Sequence, residues 1–322
     1  MSATPTFRSP LAEAMSLFVT FKRMQGYSYT DQARTLGYFD RFLAAEPDAG
    51  QGTGLKADTL ARYVAHTAHL AAFTRQTRLA SLREFGRWLH ARNPASALLP
   101  RDILPRHQRR VRFFRLTPAE VAALVRAAPV VLAGDPMRAR SVGTAIGLTY
   151  CTGLRCGEAL ALTPLDIAPD GSCLHVARGK FGKERLVPLS PSAYVALAGY
   201  LTTRRLYATG AAASALFIDA KGAALKRSHL YRSFRRLCRH CGIQGQPAPR
   251  LHDLRHNYAC DCLAGWRQDG RDVNAMLPVL ATAMGHVNPF ATQCYLHLDA
   301  VALRDAAERF RHHVAAHTEP RP

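Results

Sequence analysis

The chain has 322 residues, 48% of them hydrophobic, and 43 Lys and Arg against 23 Asp and Glu leave a net charge of +20. That length and apolar content suit two packed domains and exclude global disorder. No apolar run approaches the ~20 residues of a membrane span, and the first fifteen residues lack the basic-then-apolar layout of a secretory leader. The charge excess points to a polyanionic partner, nucleic acid before membrane, and the expected setting is the cytoplasm.

Residues 10–92 read as helices. In "LAEAMSLFVTFKRMQG", Leu11, Met15, Phe18, Val19 and Met24 recur at helical spacing and Gly26 can stop the helix. "TDQARTLGYFDRFLAAEP" follows, with Thr30 as its possible cap and Pro47 beyond its end. "ADTLARYVAHTAHLAAF" reads as a third helix and "TRQTRLASLREFGRWLHARNP" as a fourth, with Leu79, Leu82, Phe85, Trp88 and Leu89 on one side. Residues 93–115 break the pattern with three prolines and six arginines against one acid, Asp102. Such a segment is a linker, and its charge suits a path along phosphates.

A helix then starts at "LTPAEVAALVRAA", with Thr117 as cap, Pro118 in the first turn and Glu120 completing a capping box. "SCLHVARGK" and "ERLVPLS" flank "FGK" as a β-hairpin with Gly179 and Gly182 at its tip. Helices are expected again at 190–208, 226–241, 251–265, about 273–285 and 299–313, with a short strand at "ALFID". The expected fold class is therefore mainly α with a small β-sheet (α+β).

Few polar residues are embedded in apolar or small surroundings: Arg155, Lys180, His252, Arg255, His286 and Tyr295. Arginine offers a planar fork of donors matched to phosphate oxygens, so two arginines could hold one phosphodiester. Fixed donors there favour the five-coordinate state, in which charge on the oxygens grows. A tyrosine oxygen can attack phosphorus, and a lysine or histidine can move the protons. The set has no carboxylate cluster for magnesium and the chain has no phosphate-binding G-x-x-x-x-G-K-[ST] loop, so no cofactor or metal is expected. Of the eight cysteines, Cys238 and Cys241 form a C-x-x-C, with Cys260 and Cys262 the nearby pair. Reduced, helix-buried thiols are the expectation over zinc. Taken alone each residue has a plainer role; Arg155 could simply pair with Glu158 three residues on.

Four stretches in order, "TGLRCGEALAL", "GKFGKERLVPL", "HDLRH" and "MGHVNPFATQCY", resemble the signature boxes of the tyrosine recombinase (phage integrase) family. The resemblance implies catalytic roles for Arg155, Lys180, His252, Arg255 and His286, with Tyr295 as nucleophile and Glu158 supporting the first arginine. It implies an N-terminal helical SAM-like core-binding domain over 1–100 that clamps DNA, a basic linker over 101–115, and a catalytic domain over 116–322. The implied reaction is site-specific DNA strand exchange through a 3′-phosphotyrosine, with Lys180 as acid and His252 assisting proton transfer from the tyrosine. The 34-residue interval from His252 to His286 resembles recombinases of transposons and other mobile elements. Alternatives are a non-cutting accessory subunit, or a topoisomerase or telomere-resolving enzyme of the same chemistry.

Double-stranded DNA is the expected partner. Its expected contacts are Arg75 and Arg78 in the first domain, Arg106, Arg109 and Arg110 in the linker, and Lys226, Arg227, Arg232, Arg235 and Arg236 on a basic helix. The amphipathic tail "LDAVALRDAAERFRHHVAA" suits packing on a neighbouring protomer. The resemblance implies a homo-oligomer on DNA, a tetramer in the synaptic complex and a monomer or weak dimer when free, with sister recombinases of the same element as further partners.

Overall fold

Helical periodicity governs the first hundred residues and returns after the linker. The computed structural model describes residues 6–46, 54–103, 113–177, 184–208, 214–286, 290–293 and 295–296, with Glu308 and Arg311. The chain divides into two compact units, residues 1–110 and 111–322.

The first unit holds α1 (Ala12–Met24), α2 (Thr30–Ala45), α3 (Ala57–His66) and α4 (Ala72–His90). Their apolar stripes meet in one core: Met15, Phe18 and Val19 of α1, Leu36, Phe39 and Leu43 of α2, Leu60 and Tyr63 of α3, and Leu79, Leu82, Phe85 and Leu89 of α4. Burying each such side chain contributes about 1.5–3 kcal/mol. Gly26 stops α1 at φ +85°, a left-handed backbone that glycine adopts without strain. Thr30 does not cap α2. It lies in the first turn, and its hydroxyl donates to the Ser28 carbonyl at 3.4 Å. The expected third helix is also split, because a turn at 67–70 ends α3 and passes Phe73 to α4.

In the second unit α5 (Pro118–Val131) opens with the expected capping box: the Glu120 N–H donates to Thr117 Oγ1 at 3.2 Å and the Thr117 N–H to Glu120 Oε2 at 2.7 Å. α6 (Pro136–Thr152) buries most of its surface, Met137, Val142, Ala145, Ile146 and Leu148 among the buried residues, and leaves a narrow stripe through Arg140, Thr144, Gly147 and Cys151 unburied. A helix with so wide an apolar face belongs at the centre of a core, and α6 packs against α5, α8 (Pro191–Arg205) and α10 (Asp253–Gln268). Between α6 and α8 lie α7 (Cys156–Ala161) and an antiparallel hairpin of β1 (Cys173–Val176) and β2 (Arg185–Pro188). Leu174 faces Val187 across the hairpin, both buried. α9 (Arg227–His240), α11 (Val273–Met284) and α12 (Phe290–Gln293) are the other α-helices among the described residues of the unit. "ALFID" does not form a paired strand among the described residues; Ile218 makes one isolated bridge to Ala224 while Leu216, Phe217 and Ile218 fill the core. The hairpin tip and the expected helix at 299–313 lie outside the described residues, apart from Glu308 and Arg311.

One face of α10 fixes the start of this unit. Asn257 is fully buried; its Oδ1 accepts from the Leu116 N–H at 3.0 Å and from Arg115 Nη1 at 2.8 Å, and its Nδ2 donates to the Phe114 carbonyl at 3.0 Å. Asp253, also fully buried, accepts from the Phe114 N–H at 3.3 Å and from Arg250 Nη2 at 2.9 Å. No described helix is long and apolar enough to cross a membrane.

Candidate active site

Three arginines converge on the end of α11. The last carbonyls of a helix have no partner within it and carry the negative end of its dipole. Arg185 Nε donates to the Ala283 carbonyl at 2.8 Å, Arg255 Nη2 to Met284 at 2.7 Å, and Arg155 Nη2 to Gly285 at 2.9 Å. Arg255 also donates through Nη1 to the Gly153 carbonyl at 2.5 Å, where α6 ends. Gly153 and Gly285 stand at φ +64° and +66°, the left-handed conformation that terminates a helix. A Cβ on Gly153 would stand 2.3 Å from the Tyr258 ring, and one on Gly285 2.8 Å from the Arg185 guanidinium. The two glycines thus bring two helix ends within reach of one buried guanidinium.

The carboxylate of Glu158 ties this cluster together. It accepts from Arg155 Nη1 at 2.7 Å, from the Arg155 N–H at 3.0 Å, and from Arg185 Nη1 and Nη2 at 3.2 and 2.7 Å. Burial opposes its ionisation, but the hydrogen bonds from Arg185 and Arg155 outweigh burial and hold its pKa below the usual value. Arg255 is 2% exposed, the largest fully buried side chain of the described residues. Burial, then the neighbouring charge of Arg155, push its pKa down to about 10, so it stays charged at neutral pH. Arg155 keeps 26% of its side chain open to solvent. Each guanidinium has five N–H groups, so both keep donors beyond those described for an incoming anion.

Tyr295 is 2% exposed and packs with Ala259, Leu263, Leu280 and Met284. Its hydroxyl lies 2.9 Å from His256 Nδ1. His256 packs edge-to-face on His252 at 4.7 Å between ring centroids, and the His286 ring lies near-parallel to Tyr295 at 6.5 Å. His286 Nδ1 is 2.7 Å from the hydroxyl of Thr292 on α12. Burial first, and then the surrounding cations, push both imidazoles down, His256 to about 3 and His286 to about 4. Burial and Arg255 lower His252 as well, although its side chain sits at the exposed rim. At neutral pH the site therefore holds neutral histidines beside charged arginines.

The second unit thus gathers Arg155, Glu158, Arg255, His286, Tyr295 and, at the rim, His252 around the ends of α6 and α11. Lys180 lies outside the described residues, as do Arg106, Arg109 and Arg110. Two residues that sequence reading did not single out join the set. Arg185 was legible only as a charge inside the apolar run "ERLVPL", and His256 only as the residue one helical turn after His252 in "HDLRH".

The expected nucleic-acid residues divide. Lys226 at the start of α9, and Arg227, Arg232, Arg235 and Arg236 along it, are exposed, with Arg236 Nη2 also donating to the Val131 carbonyl at 2.9 Å, while the other side of α9 buries Leu230, Phe234 and Leu237. Arg75 and Arg78 are engaged within the first unit: Arg75 Nη2 donates to the Val64 carbonyl at 3.1 Å, and the Arg78 guanidinium lies 3.7 Å over the Tyr38 ring. Cys238 is buried in the α9 face, and no group of three metal-ligating side chains forms among the described residues.

Comparison with known proteins places this chain among relatives. The model of the phage integrase family matches residues 115–301. The chain is 32% identical over 300 residues to y4rE of Sinorhizobium fredii, a protein named integrase/recombinase by inference, with 93% of this chain and 95% of the relative covered. It is 32% identical to tyrosine recombinase XerC of Rhodospirillum centenum over 86% of this chain and 71% of the relative. Among solved structures, the Tn1549 transposon integrase in complex with transposon right end DNA shares the fold, with a TM-score of 0.65 at 18% identity over 92% of this chain and 98% of that one.

Proposed function

Because this chain belongs to the phage integrase family, the tyrosine-type site-specific DNA recombinases, we propose that the arginine cluster at the ends of α6 and α11 is its cleavage site, with Tyr295 as the nucleophile. The observation that carries the reading is the convergence of Arg155 and Arg255, both still with N–H donors, beside a tyrosine hydroxyl bonded to a neutral imidazole. Arg155 and Arg255 grip the two non-bridging oxygens of the scissile phosphate and favour its five-coordinate state. Tyr295 Oη attacks phosphorus and displaces the 5′-oxygen, leaving a 3′-phosphotyrosine. Lys180 gives a proton to the departing oxygen, and His286 donates to a phosphate oxygen. The 5′-hydroxyl of the partner strand then attacks the linkage and releases Tyr295. One phosphodiester is exchanged for another, so no nucleotide cofactor is required.

Double-stranded DNA is the substrate in this reading, and the exposed cations of α9 contact its backbone. The solved lambda integrase, of the same fold, was captured as a tetramer bound to a Holliday junction, which supports four protomers of this chain acting around two sites. The relation to a transposon integrase supports service to a mobile element. The test is a nicked duplex carrying a recognition sequence selected by binding from a random DNA library. The native chain traps a covalent complex and Tyr295→Phe does not; a complex that persists in the variant assigns the nucleophile elsewhere.

A further inference from the structure

We propose that His256 is the proton acceptor for the attacking tyrosine: it takes the Tyr295 phenolic proton at Nδ1 as the Oη–phosphorus bond forms, and returns it when that bond breaks on religation. The proposal rests on the reading of Tyr295 as nucleophile. It departs from the sequence-based expectation, which gave that task to His252.

The geometry carries it. The phenol oxygen and His256 Nδ1 are 2.9 Å apart, the separation of a formed hydrogen bond. With a protonated phenol and a neutral ring, the O–H donates to Nδ1 and the ring proton sits on Nε2. His256 follows Arg255 directly in α10, so the acceptor and one jaw of the phosphate clamp move as one rigid piece. Phe113 and His252 pack on the His256 ring, at 5.1 and 4.7 Å between centroids, and fix its plane. His252 is one turn earlier on the same face, at the exposed rim.

Charge adds a gate. Without DNA the ring is a weak base, held down to about 3 first by burial and then by coupling to its neighbours, the imidazole of His252 and the charged Arg250 and Arg255 among them. A phosphate gripped by Arg255 cancels part of that positive field and strengthens the ring as a base. The nucleophile is thus activated when its substrate is in place. The balance of the step is complete: the proton leaves Oη for Nδ1, the Oη–P bond forms, the P–O5′ bond breaks, and O5′ takes a proton from Lys180.

The test is single-turnover formation of the covalent complex on the nicked duplex at saturating DNA, with the full chain. His256→Asn keeps a short acceptor near the position of Nδ1 but cannot take a proton; His256→Ala leaves a space for imidazole. Near neutral pH, cleavage by His256→Asn is expected to fall by roughly 10²-fold, the usual contribution of a positioned base. The deficit narrows as pH rises toward the phenol range near ~10, where less proton transfer is needed. Added imidazole restores part of the rate of His256→Ala. A native rate in His256→Asn overturns the proposal. So does a deficit that is the same at every pH with no response to imidazole, because that marks a purely structural contact. A complex that survives in Tyr295→Phe overturns the nucleophile reading beneath it, which native rates in the His256 variants alone leave standing.

Discussion

Arg185 donates both ends of its guanidinium to the two carboxylate oxygens of Glu158, at 3.2 and 2.7 Å, and both side chains are less than a tenth exposed. The same carboxylate aims Arg155. Glu158 is thus a hub between the hairpin, α7 and the end of α11, and Arg185 is what keeps it in register.

Removing Arg185 leaves a buried carboxylate with half its partners. Arg185→Ala is expected to lower stability by roughly 3–5 kcal/mol, the usual cost of breaking a buried pair from one side. The denaturant midpoint reads this. Cleavage should fall further than DNA binding, because Arg155 loses its fixed aim. A variant with native stability would show that the pair contributes nothing.

Gly153 is a second point of control. Its φ of +64° and the Tyr258 ring at 2.3 Å from a would-be Cβ both oppose any side chain. Gly153→Ala is expected to cost more than the ~1 kcal/mol of conformational strain alone, because the ring must also move. Thermal unfolding measures the loss. A simultaneous drop in cleavage at a temperature where the variant is folded would show that the Gly153 carbonyl positions Arg255.

Acid should unfold this protein through its histidines. His256 and His286 are held near 3 and 4 against an ordinary 6.5. Below about 6.5 the unfolded chain protonates both while the folded chain resists, so the unfolded state binds more protons. The stabilising contribution is therefore present above that pH and is lost as pH falls toward 4. Melting temperature is expected to drop steadily from about pH 6.5 to about pH 4, and replacing both histidines with asparagine should flatten that slope. An unchanged slope in the double variant would show that other groups govern it.

The exposed cations of α9 make a quantitative prediction about DNA. If Arg232 and Arg235 each neutralise a phosphate, replacing one with alanine lowers the slope of log K against log salt by about 0.9. Binding weakens on every sequence alike, since phosphate contacts carry no sequence information. Titrations at several salt concentrations read the slope. Arg78→Ala should change it less, because that guanidinium is held flat over the Tyr38 ring.

Legibility in the sequence followed the range of the interactions. The α5 capping box, the hairpin pairing and the apolar faces of α1, α4 and α9 depend on neighbours within a few residues, so their signals survive in the linear text. The link between Arg155 and Glu158 was readable for the same reason, at a spacing of three. Thr30 was misread because the left-handed backbone at Tyr29 starts the helix one residue earlier than a Thr30 cap requires, so Thr30 lies inside the first turn. "ALFID" was misread because a short apolar run suits a buried loop as well as a strand.

The sequence by itself therefore determined the family, the helical character and the residue types available for phosphate chemistry. Tertiary structure alone decided what each group touches. Arg185 reaches Glu158 from 27 positions away, Arg255 reaches Gly153 from 102, and His256 reaches Tyr295 from 39. No local period encodes those distances. They exist because the carbonyls at the ends of α6 and α11 need donors, and the packed helices of the second unit leave buried guanidinium groups to supply them.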